Sequence, residues 1–172
     1  LQAVATTAAT VQANALKVVT DYAADSSNTK PTVRDYKLAG LTAVTELTLV
    51  AVNKLVEAED AATLYDFATA ESFVNAGVQA YTAALAKISD YANQASGAVT
   101  PQLSDFEDAG ITGLVAGDIA MINALLIQRE AADDGIATTP FGIQSVVNAG
   151  LAAIFKIRDA AENNTADSGG LV

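Results

Sequence analysis

The chain has 172 residues, 51% of them hydrophobic, with no Cys, His or Trp and a single Met. Nine basic against twenty acidic residues leave a net charge of −11 at pH 7. That balance argues against nucleic acid and anionic membrane surfaces, which call for clustered Lys and Arg, and the missing cysteine excludes disulfides and thiolate metal sites.

At the N-terminus, "LQAVATTAATVQ" has neither the basic n-region nor the apolar block of a signal peptide and reads as mature or internal sequence. Every apolar stretch is interrupted by Thr, Asn, Asp or Lys before it reaches the roughly 18–20 residues of a membrane span, so no membrane insertion is expected. Residues 1–26 read as a helix that ends in "DYAADSSN". From Pro31 onward the chain begins to repeat itself. Pro31–Thr69 aligns without a gap on Pro101–Thr139, and ten of these thirty-nine positions are identical: Pro31, Asp35, Ala39, Gly40, Thr42, Asn53, Leu55, Ala61, Ala62 and Thr69. A shorter echo occurs three times, in "ALKVVTDYAADSSN", "ALAKISDYANQASG" and "AIFKIRDAAENNTADSG". The period is about seventy residues, the mark of a repeat architecture.

The repeat sets the expected domains. Residues 1–30 read as the closing helix of a preceding repeat plus a linker. Residues 31–100 form one unit, and residues 101–172 form a second unit with a tail. "DSGGLV" resembles a linker to another unit, so the chain reads as part of a longer array.

Each unit is expected to hold three helices. The first is short, near Thr32–Ala39 and Pro101–Ala109. Thr32 and Asp35 have the spacing of a capping box, and Thr100-Pro101 offers an N-cap followed by the proline favoured at the first helical position. Gly40 and Gly110 suit the left-handed position just after a helix, where a side chain would clash. The second helix starts near Glu46 or Asp118, with Leu49, Val52 and Val56 on one face. The third is long, about Thr69–Ala95 and Pro140–Glu162, and would span roughly 35–40 Å. Gly77, Gly142 and Gly150 lie inside it and permit close helix approach. No segment alternates at period two, so the expected fold is all-α, in tandem three-helix units joined by long helices.

Reactive groups are scarce. Without His or Cys the usual general base, thiol nucleophile and imidazole ligand are missing, and no catalytic, cofactor or metal residue is assigned. The acidic clusters "EAED" and "ADD" lack the alternating oxygen ligands and closing Glu of a calcium loop. Asn53 and Asn123 lie beside the buried stripe and are expected to bond to backbone of the Ala-Gly turn. The repeat signature is thus Pro31, Asp35, Gly40, Thr42 and Asn53, matched by Pro101, Asp105, Gly110, Thr112 and Asn123. Tyr36 and Phe106 read as core aromatics. Tyr65 and Phe67 have no counterpart in the second unit and are the candidate interaction residues, together with Leu16 on the apolar face of residues 1–26.

"DAGITGLVAGDIAMINALL" resembles the GA-type three-helix modules of bacterial surface proteins, which carry a similar helix, Ala-Gly-Ile-Thr turn and helix ending near Ile-Asn. The likeness covers Asp108–Leu126 well and Asp35–Val56 less well. Albumin contacts are not carried over, because the long loops before Thr69 and Thr139 depart from that compact pattern. "KISDYA" at Lys87–Ala92, Pro101–Thr112 and Asn123 also resemble the Ala-, Asp- and Thr-rich tandem repeats of giant secreted adhesins and other surface proteins of aquatic bacteria. This second resemblance covers nearly the whole chain. It implies an extracellular or cell-surface structural segment, a spacer or stalk in adhesion. The alternatives are a self-assembling subunit of an extracellular filament or surface layer, and a GA-like module that binds a host or environmental protein. Expected partners are neighbouring repeats or identical subunits, without nucleic acid.

Overall fold

The computed structural model describes residues 2–59, 64, 66–133 and 135–168, with side chains placed between residues 7 and 162 of these ranges. Seven α-helices follow one another among them: α1 (Gln2–Ala24), α2 (Val33–Leu38), α3 (Leu49–Glu57), α4 (Phe67–Ala92), α5 (Leu103–Asp108), α6 (Ile119–Glu130) and α7 (Pro140–Ser168). Single 3-10 turns occur at Ala116–Asp118 and Ile136–Thr138, and no strand occurs among the described residues. The protein is all-α.

The chain divides into two compact units, Leu1–Leu85 with Glu107–Gly110, and Ala86–Phe106 with Ile111–Val172. Helix α4 contributes to both, changing over after Leu85. In the first unit α1 supplies Ala15, Val19, Tyr22 and Ala23 to a core shared with Tyr36, Leu41, Val44, Val52, Val56, Leu64 and Val74. Ala15, Val19 and Tyr22 are four and three residues apart, the spacing that puts side chains on one helical face. That face lies against α2 and α3 of the same unit, so Ala15, Val19, Tyr22 and Ala23 are part of the first unit's own core. In the second unit the buried residues include Phe106, Ile111, Ile119, Ile122, Leu126, Ile143 and Val147.

Local chemistry explains where the helices begin and end. Thr32 caps α2 through a reciprocal box: its backbone N–H donates to Asp35 Oδ2 at 2.8 Å, and its hydroxyl accepts from the Asp35 N–H. The Thr32 hydroxyl also donates to Asp35 Oδ2 at 2.6 Å, and this bond first and the backbone one second hold the Asp35 carboxyl below its ordinary value. Helix α5 begins at Leu103 rather than at Pro101, with Gln102 as the residue whose N–H donates to Asp105 Oδ2 at 2.7 Å. Pro101 therefore stands outside the helix, where its carbonyl is free to accept a bond from elsewhere. Both short helices end in the same motif. Gly40 and Gly110 take φ of +89° and +76°. Leu41 and Ile111 then donate back to the carbonyls of Tyr36 and Phe106, at 2.8 and 2.9 Å. Thr139 caps α7, with Pro140 first in the helix and the Gly142 N–H on Thr139 Oγ1 at 3.1 Å. Helix α4 begins two residues before Thr69, because Asp66 accepts from the Thr69 N–H at 2.8 Å and takes the capping role.

Among the described residues one segment, Pro140–Glu162, is long and apolar enough to cross a membrane by length and composition, with a mean hydropathy of 1.3 over its best window. It passes where the expectation was that none would, because its Ile, Val, Leu, Phe and Ala residues outweigh the polar residues set among them. Ile143, Val146 and Val147 of its first half are buried within the second unit, and Lys156, Arg158 and Asp159 interrupt its end.

Candidate functional site

The most organised polar groups are the two repeated asparagines. Asn53 Nδ2 donates to the Pro31 carbonyl at 3.0 Å, and Asn53 Oδ1 accepts from the Tyr36 hydroxyl at 2.7 Å. The side chain thus ties the start of α2 to the middle of α3. Burial pushes the Tyr36 phenol up from its ordinary value, with Tyr22 and Asp35 adding to the shift, so it stays a neutral donor. Asn123 Nδ2 donates to the Pro101 carbonyl, also at 3.0 Å. Position 106 is Phe, and Asn123 Oδ1 has no hydrogen-bond partner although the residue is buried. Both asparagines were expected to hold the Ala-Gly turn; they hold the proline carbonyl at the opposite end of the short helix. The backbone of the turn needs no help, since the glycine motif already satisfies it.

The remaining signature residues fall into supporting places. Thr42 is exposed after the turn. Thr112 is exposed too, but its N–H and carbonyl both bond the Gln144 amide of α7, at 2.9 and 3.1 Å. Thr48 and Asp118, one position before α3 and α6, are buried and accept from the N–H groups of Thr45 and Val115 at 2.9 and 3.2 Å. Glu130, also buried, accepts from the Gly135 and Ala137 N–H groups at 2.7 Å each and pins the loop before α7. Each of these polar groups secures a turn.

Of the candidate interaction residues, Tyr65 lies outside the described residues. Phe67 is half-buried against the first unit's core, and a side chain at Gly40 would stand 3.1 Å from its ring. Leu16 is likewise half-buried against that core. Both spend their apolar surface on their own unit, because the helices that carry them pack onto the Ala-Gly turn and the short helix.

An open cleft of about 320 Å³ is lined by Lys30, Leu49, Val50, Asn53, Lys54 and Glu57, with Glu107. Its charges are already engaged. The Tyr22 hydroxyl donates to Glu57 Oε2 at 2.8 Å, and Lys30 lies 5.6 Å from the centre of the Tyr22 ring. Lys54 pairs with Asp108 at 2.8 Å and Glu107 at 3.2 Å. Among the described residues no three Asp or Glu converge as a metal site would require.

What the sequence reading missed is on α7. Ile157 is 65% exposed and Phe155 59%, on a helix that buries Ile143, Val146 and Val147 in its first half. The signal was present, since Ile157 occupies the place of Val19 and Ile88 in the threefold echo. No family model, curated protein or solved structure matches the chain.

Proposed function

We propose that the chain is a non-enzymatic segment of a tandem helical array from a bacterial surface or secreted protein, serving as a spacer or stalk in adhesion. The observation that carries this reading is the twice-used joint: a short helix closed by Ala-Gly, with an asparagine on the next helix bound to the proline carbonyl at its start, at Asn53–Pro31 and Asn123–Pro101. Repeating a fold-forming joint while letting the rest of the surface vary suits a protein whose product is length. The tandem units of about seventy residues belong to this reading. The acidic surface, at a net charge of −11, supports it by keeping neighbouring arrays apart. Buried polar groups support it as well, because Thr48, Asp118 and Glu130 each secure a turn.

A GA-like binding module is less well supported, with Phe67 drawn into its own core. Assembly into a filament through the apolar face of residues 1–26 is less well supported, since Ala15, Val19, Tyr22 and Ala23 are buried in the first unit's core and Leu16 packs against it.

Light scattering and small-angle X-ray scattering over a wide concentration range test the proposal. An elongated particle of constant monomer mass is the expected result. Mass that grows with concentration toward rods would replace the spacer by a self-assembling subunit.

A further inference from the structure

The threefold echo lets one molecule be compared with itself at three places. Ala15, Val19 and Ala23 on α1 correspond to Ala84, Ile88 and Ala92 on α4, and to Ala153, Ile157 and Ala161 on α7. The first two sets are buried, with Val19 and Ile88 both at 0% exposure. The third set is exposed throughout, Ile157 at 65%. Sequence and helical conformation are shared, so the difference lies in what covers the helix.

The cover on the first two is known. Helices α2 and α3 lie on α1. On α4, Lys87 Nζ pairs with Asp105 Oδ2 of α5 at 2.7 Å, and Ala92 lines a small cavity together with Ile127 and Glu130 of α6. In both cases the cover includes a short helix and the helix that follows it. Helix α7 carries the matching apolar residues and also Lys156 at the place of Lys87, yet among the described residues no such helix pair lies on it.

We propose that the Ala153–Ile157–Ala161 face of α7 is a docking site for a third helix pair of the α2–α3 and α5–α6 type. The inference rests on the tandem-array reading and names the partner of this face. The pair's short helix would bring an Asp at the place of Asp35 and Asp105 to meet Lys156, and its buried aromatic and aliphatic residues would cover Ile157. A second copy of this chain is the poorer occupant. Its two pairs already cover its own α1 and α4, so one of those helices would have to be displaced. Ala160 stands where Tyr22 does, so α7 could not restore the Tyr22–Glu57 hydrogen bond on an exchanged pair.

The test lengthens the full chain by one unit, joining residues 93–172 again after Ala161 so that the register of Ala92 and Asn93 is kept. Hydrogen exchange over residues 153–161 is then compared between the original and the lengthened chain. The expected result is exchange slowed by about tenfold or more in the lengthened chain. Ile157→Asp at the first copy of that residue should abolish the slowing while the first two units keep their protection. Unchanged exchange at 153–161, whether the added unit folds elsewhere or not at all, overturns the proposal. Sedimentation of the original chain supplies the second arm. Constant mass is expected, whereas mass that rises with concentration and returns to monomer with Ile157→Asp would make a second copy the occupant and overturn it too. Loss of the docking face with an elongated monomer in solution would leave the spacer reading standing, so the two ideas fail separately.

Discussion

The α2–α3 and α5–α6 regions use one plan with unequal completeness. In the first, Asn53 has both ends of its amide engaged, on the Pro31 carbonyl and the Tyr36 hydroxyl. In the second, Phe106 replaces the tyrosine and Asn123 keeps only the Pro101 bond. Both regions keep the glycine turn and the asparagine-to-proline bond, so that bond specifies the joint. The aromatic hydroxyl is an addition to it. Close packing differs as well. A Cβ on Gly77 would stand 2.7 Å from Val52 Cα, whereas one on Gly150 would meet the methyl ends of Ile122 and Leu125 at 2.6 and 2.9 Å. The α3–α4 contact is backbone against backbone, and the α6–α7 contact is backbone against side-chain tips that can turn aside.

This contrast can be broken by substitution, most strongly at the asparagines. Asn53→Ala strips partners from two buried groups and should cost about 2–4 kcal/mol, while Asn123→Ala strips one and should cost about 1–2 kcal/mol. Urea unfolding with hydrogen exchange on α3 and α6 as local readouts measures both. Equal costs would mean that the tyrosine hydroxyl contributes nothing. At the aromatic itself, Tyr36→Phe should lose about 1–3 kcal/mol, and Phe106→Tyr should gain about 1 kcal/mol by giving Asn123 Oδ1 its missing donor. A destabilising Phe106→Tyr would show that the second joint has no room for the hydroxyl.

The glycines sharpen the comparison at a smaller scale. Gly77→Ala forces a backbone shift and should destabilise by about 1–3 kcal/mol despite the better helix propensity of Ala. Gly150→Ala should fall near zero, because rotation of Ile122 and Leu125 offsets the crowding. Thermal melts of the two variants should separate accordingly. The smallest effect concerns the cap of α2. Thr32→Ala should cost about 0.5–2 kcal/mol at neutral pH. Asp35 has a folded pKa below its ordinary 3.8, so its share of stability is present above that value. It is lost as pH falls through the lower folded pKa. The gap between wild type and Thr32→Ala should therefore narrow as pH falls below 3.8, which a pH series of melts would show.

Much of the fold was legible because it is written in short-range chemistry. The Ala-Gly turns, the Thr32–Asp35 box and the Thr139-Pro140 start are local signals, and each is found where its residues predict. Asn53 and Asn123 stood out by repetition, but their partner did not, since Pro31 and Pro101 lie far from them in the chain and a carbonyl leaves no trace in a side-chain pattern. Which face of a helix is covered is also a long-range fact. Leu16 and Phe67 looked available in sequence because the helices that cover them are separate segments, and the echo of Val19, Ile88 and Ile157 does not show that the third is exposed while the first two are buried.

The bond from Asn53 to Pro31 also orders how the chain gives way under tension. A pull on residues 25–30 reaches α2 through Pro31, and α2 is only six residues long. Left to itself so short a helix would unravel from its first turn. With the Pro31 carbonyl held to the middle of α3, the load is passed sideways into the second helix before the first turn feels it. The joint acts as a strain relief, like the clamp that keeps a cable's solder points from carrying its weight. Asn123 gives α5 the same protection through Pro101.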